Sequence, residues 1–141
     1  MAYKKILVPM DGSQGAWKAF RKALLMAGDM NAAIAVLSVA EHLPKYAATV
    51  GEVDEEVERE NEYFARLHSK ASELAREQGI ELSAETIIGH AAQTIVEYAR
   101  KHDFDLIAMG HIGHSGLWGT LLGSTTDRVV DHAPCDVLVV R

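Results

Sequence analysis

Glycines recur at Gly110, Gly113, Gly116, Gly119 and Gly123, and Ser124, Thr125 and Thr126 follow the last of them. They come after a short apolar run, Leu106-Ile107-Ala108-Met109, and before a helical pattern that carries Val129 and Val130. Strand, glycine-rich loop and helix start, in that order, make one kind of chemistry available. Glycine lets a backbone take φ > 0 and approach a ligand closely. The first turn of a helix offers unpaired N–H groups and the positive end of a dipole. Ser124 and Thr125 add hydroxyl donors. Together these read as a phosphate site. The same glycines also admit a purely structural reading, as tight turns and close packing.

A second candidate lies near the N-terminus, where Asp11-Gly12-Ser13 follows the apolar run Ile6-Leu7-Val8 and Pro9. Ser13 is placed to cap the next helix. Asp11 either does the same or meets a phosphate through a bridging Mg²⁺. Two histidines, His111 and His114, stand within the glycine loop. If either titrates near neutral pH it would tune phosphate affinity. Their HxxH spacing, with His90, would make a transition-metal site only if the three converged. No Lys or Arg occurs between Gly110 and Thr125. Phosphate charge would therefore fall to backbone, hydroxyls, metal and histidine, which predicts weaker binding or a less charged nucleotide.

The elements that must hold these loops follow from apolar periodicity. Ile6-Leu7-Val8 is apolar on both faces, like a central parallel strand, and Pro9 ends it. Ala16, Phe20, Ala23, Leu24 and Ala27 mark a first helix, with Gly28 as its expected stop. Ala33 to Ala40 reads as a second buried strand. Glu41 to Val53 is long for a connection and is expected to be a mobile flap. Asp54 is expected to open an acidic helix whose inner face is Val57, Phe64, Leu67, Ala71 and Leu74, closed by Gly79. The acids Glu52 to Glu62 read as its solvated outer face. Leu82 to Ile88 is an edge strand. Ala92, Ile95, Val96 and Ala99 stripe a third helix. Leu106 to Met109 is the fourth strand, Leu121 to His132 the fourth helix, and Val137 to Val140 the last strand.

Strands that alternate with helices throughout imply an open parallel sheet of five strands, covered by helices on both faces. Ligands bind such Rossmann-like α/β sheets beyond the carboxyl ends of the strands, where the strand order reverses. Both candidate loops lie at those ends. The strong apolar character of Val137 to Arg141 at an edge invites pairing with another strand.

Gly110-x2-Gly113-x9-Gly123-Ser124 is a spaced motif. With KILVPMDGS at the start and HAPCDVLVVR at the end, the chain resembles the universal stress proteins, in the subgroup that binds ATP, along its whole length. The last segment departs from the family's pattern at Asp136, where a proline is usual. The resemblance implies a sheet in the order 3-2-1-4-5 and a homodimer formed through the last strand. It implies that Asp11 lies near the ribose and the metal-bound phosphates, and that Pro9, Met10 and Met109 line the same pocket. Val39 would read the adenine edge through its backbone. Gly110 would approach the ribose, and Gly113, Gly123, Ser124 and Thr125 would hold the phosphates, with His111 and His114 beside them. ATP with Mg²⁺ or Mn²⁺ is the implied ligand, and Asp11 the metal contact. The function implied is a nucleotide-dependent stress-response module. A slow Mg-dependent ATP hydrolase and a nucleotide-free dimeric scaffold are the alternatives. His111-Ile112-Gly113-His114 also spells the HIGH tetrad of nucleotidylyl transferases, but theirs follows the first strand and no KMSKS-like loop is present.

Composition narrows the classes. With 141 residues, the chain is expected to be a single domain spanning 1–141. The net charge is −6 with no basic stripe, which argues against nucleic acid. The one cysteine, Cys135, excludes an internal disulfide and fits a reducing compartment. It reads as a small packed residue. No apolar run reaches membrane-spanning length, and no signal-peptide pattern opens the chain. A cytoplasmic protein is expected.

Overall fold

In the computed structural model, residues 2–41, 50–111 and 124–141 are described. The elements are β1 (Lys5–Pro9), α1 (Gln14–Met30), β2 (Ala33–Ala40), α2 (Val50–Glu77), β3 (Leu82–Ile88), α3 (Ala91–Lys101), β4 (Leu106–Gly110), α4 (Ser124–His132) and β5 (Asp136–Val140). The strands form one parallel sheet in the order β3-β2-β1-β4-β5, as the alternation and the resemblance implied.

Side chains alternate across a strand with a period of two, and the sheet sorts its core accordingly. Ile6, Val8, Ile34, Val36, Leu106 and Ala108 share one face with α1 and with Ala71 and Ala75 of α2. Leu7, Ala35, Leu37, Ile107 and Met109 share the other with Ile95, Val96 and Ala99 of α3 and Val129 of α4. This two-sided burial explains why the central strands read as unbroken apolar runs. Trp17 is part of the first face and meets Phe20 edge-on, with centroids 5.6 Å apart.

Two boundaries differ from expectation. Gly28 does not stop α1, which continues to Met30 and ends at Asn31 in the left-handed region (φ 57°). The carbonyl of Ala27 accepts hydrogen bonds from the N–H groups of Asn31 and Ala32. Packing of the Ala23-Leu24-Ala27 stripe outweighs the roughly 1 kcal/mol that a helical glycine costs. Likewise α2 begins at Val50, not Asp54. Gly51 falls in the first turn, where N–H groups have no intrahelical partner to lose. At the other end Gly79 (φ +67°) does close α2, with Ile80 N–H bonded to Ala75 O at 2.9 Å. The expected flap falls mostly on residues 42–49, and the expected start of α4 on 121–123; both lie outside the described residues.

The sheet opens at one place. β1 pairs with β2 over five residues and β4 with β5 over five, but β1 meets β4 only at Ile6↔Leu106 and Leu7↔Ile107. After β1 the chain crosses to α1 on one face, and α4, after β4, packs on the other. That reversal is where an α/β sheet offers a crevice. Among the described residues no helix is long and apolar enough to cross a membrane.

Candidate functional site

The crevice is a cleft of about 440 Å³, within the usual range for a small-molecule site. One wall is the turn after β1. There Asp11 Oδ1 accepts the N–H of Ser13 at 2.9 Å, a local turn that an aspartate makes with its own backbone. Ser13 Oγ in turn accepts the N–H of Ala16 at 3.1 Å and caps α1, as its position in the sequence predicted. Gly12 between them has φ +83°, which favours glycine, and an added Cβ would displace the Tyr63 hydroxyl.

Contacts from α2 hold this turn from outside. The Tyr63 hydroxyl donates to Asp11 O at 3.1 Å. Ser38, fully buried in β2, donates to Met10 O at 2.6 Å, and its Oγ lies 2.8 Å from His68 Nε2. A serine has one proton to give. Since a carbonyl can only accept, that proton goes to Met10 O, and His68 Nε2–H must be the donor to Ser38. Burial pushes the His68 pKa below its ordinary value.

The opposite wall is the end of β4 and the first turn of α4. Thr126, buried, donates to Gly110 O at 3.0 Å and ties the helix start to the strand end. Gly110 itself is pressed against α1: an added Cβ would stand 2.6–2.8 Å from backbone atoms of Gly15. The close approach that this glycine permits is therefore backbone to backbone. His111 N–H continues the sheet to Val140 O at 2.8 Å. Its Nε2 is buried with no hydrogen-bond partner among the described residues.

Pro9, Met10, Asp11, Val39, Met109, Gly110, Ser124 and Thr125 line this one cleft, although they come from four separate stretches of chain. His111 adjoins the cleft in sequence but is absent from its lining. Gly113, His114 and Gly123 lie outside the described residues, and so does Trp118. Glu41, Glu60 and Tyr63 also line it, and none of them was forecast as a site residue. Glu60 is half-buried and faces the cleft, which corrects its assignment to a solvated outer face. Glu41 Oε1 accepts the N–H of Ala91 at 2.9 Å, so the start of α3 is occupied by the chain's own carboxylate. No sequence signal marked these residues, because each reaches the cleft only through the packing of α2 or the end of β2.

The electrostatics are lopsided. Among the described residues the lining carries three carboxylates, Asp11, Glu41 and Glu60, and no lysine or arginine. Among the described residues no three metal-ligating side chains converge. Cys135 is half-buried, and burial and the nearby Asp136 and Asp105 keep its thiol protonated beyond the usual range. It has none of the electropositive surroundings that activate a thiolate.

Comparison with known proteins decides the family. The universal stress protein family matches residues 2–141. The chain belongs to that family. A universal stress protein of Methanocaldococcus jannaschii is 37% identical over 142 residues, covering 99% of this chain and 82% of the relative. The solved structure of the universal stress protein UspA from Lactobacillus plantarum superposes with a TM-score of 0.92 at 31% identity, covering 100% of this chain and 99% of that one. Two more distant family structures share the fold. One, solved in complex with cAMP, has 24% identity, a TM-score of 0.77 and covers 100% of this chain and 99% of its own. The other, from Arabidopsis thaliana with AMP bound, has 18% identity, a TM-score of 0.68 and covers 97% and 90%.

Proposed function

We propose that this chain is a nucleotide-responsive stress module of the cytoplasm that binds ATP with a divalent cation, Mg²⁺ or Mn²⁺, in the cleft between β1 and β4. The observation that carries the reading is the pairing of the Met10-Asp11 turn with the first turn of α4 across a crevice of nucleotide size. Family members solved with cAMP and with AMP support an adenine nucleotide as the ligand class. In this reading Val39 and Met10 flank the base. Gly110 and Asp11 border the ribose. The Ser124 and Thr125 hydroxyls, with N–H groups of the α4 first turn, donate hydrogen bonds to phosphate oxygens. By resemblance, Gly113, Gly123 and His114 would complete the phosphate side.

The residues present fit a cation. Asp11 is an oxygen ligand held in place by the Ser13 N–H, and oxygen ligands suit Mg²⁺. The cation would supply the positive charge that the described lining lacks. This makes a sharp prediction for calorimetric titration. ATP binds in the presence of Mg²⁺, and a chelator weakens it by about tenfold or more, because triphosphate and three carboxylates then repel unscreened. No heat of binding at millimolar Mg-ATP would overturn the reading. So would binding that is indifferent to the chelator.

We also propose that β5 pairs with the same strand of a second copy. Asp136–Val140 is the last strand of the sheet, and Val137 to Val140 are half-buried apolar residues along its free edge. Such an edge is a template for strand addition. Light scattering at micromolar protein is expected to give twice the 15.4 kDa protomer mass. A single protomer mass at that concentration would overturn it.

A further inference from the structure

The acidic nucleotide cleft is not a closed chamber. It adjoins a second cavity of about 990 Å³ between α3 and α4, and the two share Glu41, Ala91, Ser124 and Thr125. The second cavity has what the described lining of the first lacks: Arg100 from α3 and Arg128 from α4. Neither guanidinium forms an ion pair with a described residue. On α4, Ser124, Arg128 and His132 follow one another at intervals of four residues, so they stand in a row along one helix face. The His132 ring is tethered there, its Nδ1 2.9 Å from Arg128 O. On α3, Gln93, Glu97 and Arg100 form the facing row. Glu97 accepts a hydrogen bond from Gln93 Nε2 at 3.0 Å and keeps further acceptor capacity. From Ala91 to Arg100 the groove runs roughly 13 Å along α3.

We infer that the groove between α3 and α4 receives the second half of a dinucleoside polyphosphate whose first nucleoside occupies the cleft. The inference rests on the nucleotide reading of that cleft and specifies which nucleotides it favours. A phosphate chain that passes Ser124 and Thr125 leaves Asp11 and Glu60 behind and comes within reach of Arg128. Beyond it the groove is mixed in character. Guanidinium groups stack on planar bases or pair with phosphate, while Glu97 and Gln93 can take ribose hydroxyls. A bare polyanion would use only the arginines and would meet Glu97 and Glu41 as repulsive charges. A phosphate chain that ends in a nucleoside uses both sets.

The test compares three probes in Mg²⁺ by calorimetry: ATP, diadenosine tetraphosphate and inorganic tripolyphosphate. They are titrated into the full chain and into Arg100→Gln/Arg128→Gln. Wild type is expected to bind diadenosine tetraphosphate about tenfold more tightly than ATP, one per protomer. The double variant should lose that advantage, keep the ATP affinity of wild type and keep its melting temperature. Equal affinity for ATP and the dinucleotide in wild type would overturn the inference and leave the ATP reading standing. A dinucleotide advantage untouched by the double substitution, or one ligand per two protomers, would also overturn it. Tripolyphosphate binding that depends on the two arginines and matches the dinucleotide would overturn the nucleoside assignment. Failure of ATP itself to bind would remove the underlying reading along with the inference.

Discussion

A Gly110→Ala variant is expected to lose about 3 kcal/mol of stability, the upper end of what overpacking costs. The new Cβ would stand 2.6–2.8 Å from the C, O and Cα of Gly15. Most overpacked side chains escape by changing rotamer. A Cβ has no rotamer, and its neighbour is backbone in the first turn of α1. Relief requires moving α1 away from β4, and both elements carry buried core residues, Trp17 and Phe20 on one and Ala108 and Met109 on the other. For a chain of this size the shift in melting temperature is on the order of 10 °C. Gly28→Ala is the control. It lies inside α1 with nothing within 4 Å of an added Cβ, so it should be neutral or gain up to about 1 kcal/mol. Denaturant unfolding of the two variants beside wild type decides the matter. Wild-type stability in Gly110→Ala would mean that α1 is not docked on the end of β4 as described.

Ser38→Ala carries the second large effect, a loss of about 2–3 kcal/mol, because it orphans two partners at once. Met10 O loses its donor and His68 Nε2–H loses its acceptor, both beside the Met10-Asp11 turn. His68 also links this network to pH. Burial lowers its folded-state pKa below the ordinary 6.5. The unfolded chain therefore takes up the proton more readily than the folded one. The stabilising contribution is whole above pH 6.5 and declines as pH falls through and below that value toward the folded-state pKa. Urea unfolding from about pH 8 down to about pH 5 should show this slope in wild type and lose part of it in His68→Asn. Identical slopes in the two proteins would show that His68 is not buried in its neutral form. The network also positions the proposed site, since it holds Met10 O while Tyr63 holds Asp11 O.

Much of this molecule was legible without coordinates. β2 and β3 were delimited to the residue, and every other element was found with its core stripe. The reason is that a doubly covered parallel sheet forces unbroken apolar strands and one-sided helices, both of which are periodic signals. Ser38 was visible as the lone hydroxyl in a strand whose neighbours on the same face are Ile34 and Val36. A buried hydroxyl must find a partner, but nothing local could say that the partner is His68, thirty residues on. The misplaced starts and stops have a common cause. Gly28 was read as a stop and the residues up to Val53 as a connection, although packing at Gly28 and the first-turn position of Gly51 cancel what a helical glycine costs.

Local pattern by itself determined the alternation of strands and helices, which faces are apolar, and the cap at Ser13. Those properties depend on neighbours a few residues apart along the chain. Tertiary structure alone decided that Gly110 yields to Gly15, that α2 clamps the Met10-Asp11 turn, that Glu41 seats itself at α3, and that an acidic cleft opens toward two arginines. Each is a contact between residues brought together by the crossovers of the sheet, and side-chain reach across such distances leaves no periodic trace in a sequence.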